Sequence, residues 1–140
     1  MPSGTKHVWI SCLLLFIING IITLTTQLNE VKLFCILTNI FLFSTFYLSP
    51  DLDTDSSVYH RWGYLKMLWW PYKKLCKHRQ RSHGIITGPI LILTNLCIIL
   101  IPIIYYLYQT DYQFPLTEIL FSVAVIIFSV EAHIVADKLL

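Results

Sequence analysis

Three short clusters in this 140-residue sequence carry residues able to bind a metal ion or move a proton. The first is Ser49-Pro50-Asp51-Leu52-Asp53-Thr54-Asp55, with up to three carboxylates. The second is His78-Arg79-Gln80-Arg81-Ser82-His83-Gly84, and the third is His133-Ile134-Val135-Ala136-Asp137. Histidine and aspartate in roughly equal number suit Zn²⁺, Mn²⁺ or Fe²⁺ better than Ca²⁺, which takes oxygen donors.

Each cluster also has a plainer reading. His133 and Asp137 are four residues apart and share a face if they lie on a helix. They could chelate one ion, the carboxylate could orient the imidazole, or the two could form an ordinary helix-end pair. His78 and His83 would point about 140° apart on an unbroken helix. They reach one centre only if the chain breaks between them, as Gly84 would favour, or they serve two ions. Arg79 and Arg81 could hold a phosphate or a lipid headgroup. Pro50 forces Ser49 out of the helical region, and an extended chain beyond it would put Asp51 and Asp53 on one side. The alternative is a solvated acidic cap. An EF-hand fails here, because Ser56 and Trp62 stand where glycine and glutamate are needed. A D-x-D-x-T phosphatase motif fails because its fifth residue is Asp55.

The elements that must position these clusters read as membrane helices. Hydrophobic residues make up 56% of the chain and charged residues 13%, against about 25% charged in soluble domains. Mean hydropathy is +0.65. Apolar stretches run over about 8–26, 31–49, 85–108 and 115–136, each near the roughly 20 residues needed to span a bilayer. The expectation is an all-α, single-domain integral membrane bundle of about four transmembrane helices. The first stretch lacks a small-x-small cleavage pattern and is expected to be retained. Short links at Leu28 to Glu30 and Gln109 to Phe114 read as helix hairpins.

The connecting segment 50–84 carries seven basic residues (Arg61, Lys66, Lys73, Lys74, Lys77, Arg79, Arg81) against Asp51, Asp53 and Asp55. The positive-inside rule puts it, and both termini, in the cytoplasm. All three clusters then lie on one membrane face at the ends of different spans, and four of the five histidines, His60, His78, His83 and His133, lie with them. Ionisable groups gathered at a membrane boundary point to function, here a metal site. Within 50–84, Trp62, Leu65, Trp69, Tyr72 and Cys76 fall on one side of an ideal helix, with lysines beside them. This predicts an interfacial amphipathic helix with its aromatic rings at headgroup depth, unless the rings pack on the spans. Pro71 should kink or end that helix, and Pro102 should bend the third span. A net charge of +2 gives no support for a nucleic-acid partner. The cysteines, Cys12, Cys35, Cys76 and Cys97, suggest neither a disulfide framework nor a zinc site.

The ordered set Pro50-Asp51-Leu52-Asp53, His78-Arg79-Gln80-Arg81-Ser82-His83 and His133-Ile134-Val135-Ala136-Asp137 resembles a family of small bacterial inner-membrane proteins described as metal-dependent hydrolases. That family's pattern is P-D-x-D, then H-R-x-x-[ST]-H, then H-x-x-x-D. Arg61-Trp62-Gly63 and Trp70-Pro71-Tyr72 look more like its metal-binding protein subgroup of cyanobacterial type. The resemblance covers about Ser49 to Asp137. It implies one or two divalent ions (zinc, manganese or iron) held by Asp51, Asp53, His78, His83, His133 and Asp137.

A hydrolase of this kind would use Asp53 or Asp55 to carry the proton. Arg79 or Arg81 would steady a phosphoester oxyanion. Its partner would be membrane lipid, and its substrate a phosphoester or lipid-like molecule met at the inner-membrane interface. Two other readings compete: a non-catalytic, metal-stabilised membrane protein, and a small accessory subunit of a larger membrane complex.

Overall fold

A computed structural model describes residues 4–25, 31–76, 81–113 and 115–139, with side chains in the first stretch described over 8–22. Among the described residues six α-helices form: α1 (Gly4–Thr25), α2 (Val31–Tyr47), α3 (Ser57–Arg61), α4 (Trp70–Leu75), α5 (Thr87–Gln109) and α6 (Leu116–Leu139). Two 3₁₀ segments, Pro50–Asp53 and Gly63–Trp69, separate α2 from α3 and α3 from α4. There is no strand among the described residues, so the all-α expectation holds.

Among the described residues, three segments are long and apolar enough to cross a membrane: Val31–Asp53, Thr87–Gln109 and Leu116–Leu139. The expected fourth is shorter by this measure, because the described apolar part of α1 is Val8–Ile22. Isoleucines and tyrosines of α5, among them Ile98, Ile101 and Tyr105, are exposed. That surface suits lipid, where apolar exposure carries no hydration cost.

α2 and α6 form the central pair. Thr45 Oγ1 and Ser129 Oγ lie 3.2 Å apart between them, and the Phe41 and Phe128 rings are 6.1 Å apart. At their starts Lys32 pairs with Glu118, so the two helices run in the same direction and end together. α1 packs on them through Leu15, against Phe41 and Val125, and Asn19 Nδ2 donates to Thr38 Oγ1 at 3.2 Å. α5 ends with Asp111 in the left-handed region (φ 53°). The Asp111 N–H bonds to Tyr108 O and the Tyr112 N–H to Leu107 O. This is a Schellman closure, and it turns the chain toward α6 as the expected hairpin requires. The other expected link, Leu28 to Glu30, lies outside the described residues.

The segment after α2 folds back onto the bundle. Ser49 is extended (φ −80°, ψ 150°), as a residue before proline must be. α2 therefore stops at Tyr47 and leaves terminal carbonyls in need of donors. Arg61 Nη1 donates to Phe46 O at 3.1 Å, and Trp62 Nε1 to Tyr47 O at 2.9 Å. Asn95 Nδ2 of α5 donates to Leu68 O at 3.2 Å, which ties the far side of the segment down.

Of the two readings of the aromatic stripe, the one in which its rings pack on the spans holds. Trp69, Tyr72 and Cys76 are buried in the core cluster, with Trp62 packed against it. Tyr64, Met67 and Trp70 face outward instead. Leu65 alone leaves the shared side and is exposed, in the stretch 63–69 that winds as a 3₁₀ helix with three residues per turn rather than 3.6. Pro71 starts α4 rather than ending a helix, since a proline in the first turn has no N–H to waste.

Candidate metal centre

Four side chains from three parts of the chain converge where α2 and α6 end. Asp51 comes from the 3₁₀ segment after α2, His83 from the turn before α5, and His133 and Asp137 from the last turns of α6. One donor atom from each lies within 4.8 Å of all the others. His83 Nε2 is 2.9 Å from Asp137 Oδ2 and 3.6 Å from Asp51 Oδ1. His133 Nε2 is 3.4 Å from Asp51 Oδ2 and 3.6 Å from Asp137 Oδ2. Donors 2.0–2.2 Å from a tetrahedral zinc would sit roughly 3.3–3.6 Å from each other. The cluster is thus the right size for one ion, and its two carboxylates match the charge of a divalent cation. Side-chain exposure is 14% for His83 and 11% for His133, so both imidazoles are largely desolvated.

Local structure explains how each donor is aimed. Ser49 Oγ accepts the Asp51 N–H at 3.3 Å, capping the 3₁₀ segment that carries Asp51. The same hydroxyl lies 3.3 Å from His133 Nε2. Tyr72 donates its hydroxyl to Pro50 O at 3.3 Å and pins this segment from below. α6 continues to Leu139, so His133 and Asp137 keep their shared helical face.

His83 is set by a relay. Ser82 is fully buried and donates its hydroxyl to Asp53 Oδ2 at 2.7 Å. A serine has one proton to give, so Ser82 Oγ accepts from His83 Nδ1–H, 3.0 Å away. That tautomer leaves the Nε2 lone pair pointing at Asp51 and Asp137. A carboxylate and a hydroxyl behind a histidine are the usual outer support of a metal-ligating imidazole. Gly88 makes room for the relay, since a Cβ there would collide with Ser82 O and press on Ile134. The Asp51 contact raises the His83 pKa, assisted by the charges of Asp137, Asp51 and Asp53, while burial opposes the shift.

The structure thus brings together Asp51, His83, His133 and Asp137, and leaves Asp53 and Asp55 out of that cluster. Asp53 points to Ser82 because the chain coils as a 3₁₀ segment, which turns residues two apart by about 240°. The extended geometry expected for Asp51 and Asp53 is corrected accordingly. Asp55 is exposed and bonded to Lys73 Nζ at 2.8 Å, and that lysine lowers its pKa. Arg81 is exposed. Its backbone oxygen accepts from Thr87 Oγ1 at 2.7 Å. His78 and Arg79 lie outside the described residues. Burial pushes the Cys76 thiol up to about 11, which keeps it protonated and unsuited to bind a metal.

Two contributors had no separate signal in the sequence. Ser82 sat inside a quoted motif with no role assigned. Arg61 joins the site only through the fold. A recess of about 20 Å³ opens beside Asp51 and His133 and is lined by Thr45, Ser49, Ser57 and Arg61. Val8 also lines it, which brings the start of α1 to this face of the bundle.

The chain is 46% identical over 44 residues to an uncharacterized protein of Aquifex aeolicus (strain VF5), a match spanning 31% of each chain. No solved structure matches it. The family described as "uncharacterized metal-binding protein (DUF2227)" matches residues 2–139, and the chain belongs to that family.

Proposed function

We propose that the chain is a membrane-embedded protein that binds one divalent ion through Asp51, His83, His133 and Asp137 and hydrolyses a phosphoester or lipid-like substrate at the membrane interface. The observation that carries this reading is the convergence of four donors within 4.8 Å, from elements more than 80 residues apart in sequence. The family description supports metal binding and names no reaction. The two-imidazole, two-carboxylate set suits zinc, manganese or iron. The basic bias of 50–84 supports a cytoplasmic orientation for the site, as at a bacterial inner membrane.

The residues divide the work as follows. Asp53 and Ser82 hold His83 in the tautomer that presents Nε2. Ser49 holds Asp51 and touches His133. The polar recess, large enough for a water, keeps solvent next to two of the donors. A divalent ion in this set would supply Lewis acidity there and acidify water near neutral pH.

A second reading has a specific observation in its favour. Four protein donors already complete a tetrahedral zinc site of the structural kind. The ion would then only staple the ends of α2 and α6 to the start of α5. The two readings separate on one experiment. Detergent-purified, metal-loaded protein would be assayed on p-nitrophenyl phosphate and on phosphatidic acid in mixed micelles. Turnover that requires the ion and vanishes in His133→Ala supports the hydrolase. Full metal occupancy with no turnover on either substrate leaves the staple.

A further inference from the structure

We infer that the recess beside Asp51 and His133 is an oxyanion subsite, in which Arg61 and the Ser49 and Ser57 hydroxyls take one oxygen of a phosphoryl group. This rests on the metal reading above and goes beyond it, because it assigns a ligand class and a residue set to a place outside the four donors. The recess is about 20 Å³, is lined by Thr45, Ser49, Ser57 and Arg61 together with Val8 and Val58, and borders two of the four donors, Asp51 and His133. A water needs roughly 10–15 Å³ measured this way. The recess therefore admits one oxygen atom and leaves the rest of a phosphoryl group at the rim.

Arg61 suits that rim. Its Nη1 donates to Phe46 O at 3.1 Å, and its guanidinium carbon lies 5.3 Å from the centre of the Phe46 ring. The plane is therefore held by α2, while one of the five N–H groups of the fork is used in that bond. Charge makes the subsite conditional. With a proton shared between His83 and Asp137, the metal-free cluster carries one net negative charge, which offsets the single positive charge of Arg61 and leaves no net attraction for an anion. A divalent ion cancels the carboxylates and leaves Arg61 to attract it. Phosphate and metal should therefore bind with positive coupling, and by linkage each raises the affinity for the other by the same factor.

The test measures Zn²⁺ and Co²⁺ affinity of the full chain in detergent by chelator competition, with and without inorganic phosphate. The Co²⁺ absorption spectrum is recorded in parallel. Wild type is expected to bind metal tighter in phosphate and to show a shifted Co²⁺ band. Arg61→Gln keeps a donor for Phe46 O and removes the charge. It should bind metal normally without phosphate and lose the coupling, with phosphate affinity falling roughly ten- to hundredfold. Arg61→Lys should retain a weakened coupling. Nanodiscs containing phosphatidic acid in place of free phosphate tell a lipid headgroup from a soluble ion, and coupling in either arm supports the subsite.

Wild-type metal affinity indifferent to both phosphate sources would overturn the inference while leaving the metal site standing. So would an Arg61→Gln protein coupled like wild type. Loss of metal affinity in Arg61→Gln without phosphate would show a structural cap and overturn it as well. Absence of metal from the wild type would sink the proposed function itself.

Discussion

His83 Nε2 lies 2.9 Å from Asp137 Oδ2, and the other imidazole nitrogen has its proton committed to Ser82. A lone pair and a carboxylate oxygen at that distance repel unless a cation lies between them. In the metal-free protein that cation is a proton; in the loaded protein it is the metal.

A pH dependence of opposite sign for the two forms follows. The His83 pKa is raised, first by its Asp51 contact. A raised folded value stabilises the fold fully below the unfolded value, about 6.5, and this contribution is lost as pH rises through the folded value. Chelator-treated protein is expected to lose Tm as pH rises from about 6.5. Metal-loaded protein should gain Tm over the same range, because the ion needs neutral imidazole. Thermal scans from pH 5.5 to 8.5, with His83→Gln flattening the metal-free curve, check this. A metal-free Tm that rises with pH contradicts it.

Ser82→Ala removes the acceptor for His83 Nδ1–H but no metal donor. Metal affinity is expected to fall about 10- to 100-fold, and Ser82→Thr should recover much of it. Calorimetric titration with Zn²⁺ measures both. Unchanged affinity in Ser82→Ala would mean the relay does not orient His83.

Gly88→Ala puts a methyl group against Ser82 O and close to Ile134. The expected cost is about 1–3 kcal/mol of stability, together with weaker metal binding although residue 88 is not a ligand. Denaturant unfolding in detergent and metal content read the two effects separately.

Tyr72→Phe removes the hydroxyl bond to Pro50 O and loosens the segment carrying Asp51. About 1 kcal/mol is expected, with metal retained at higher dissociation constant. Asp55→Asn should change neither, since Asp55 is exposed and its carboxylate is bonded to Lys73, outside the four-donor cluster. Reduced metal content in Asp55→Asn would return that residue to the site.

Much of the centre was legible because it depends on local rules. The i, i+4 spacing of His133 and Asp137 and the extended Ser49 before Pro50 needed only helix and proline geometry. The apolar runs marked the helices, and their order along the chain put the clusters at one end of the bundle. Misreadings arose where the helical period changed. A 3₁₀ turn rather than an extended chain sent Asp53 to Ser82, and Leu65, in the 3₁₀ helix over 63–69, left the side it was expected to share with Trp69 and Tyr72. Arg61 had no local signal, because its place at the recess depends on capping α2, a contact made 15 residues away.

The central claim is that Asp51, His83, His133 and Asp137 form one divalent metal centre. Elemental analysis of detergent-purified wild type, His83→Ala and His133→Ala tests it most directly. About one equivalent of metal in the wild type, lost in both variants, is the expected result. No metal in the wild type after reconstitution with Zn²⁺ or Mn²⁺, or full metal content in both variants, would contradict it.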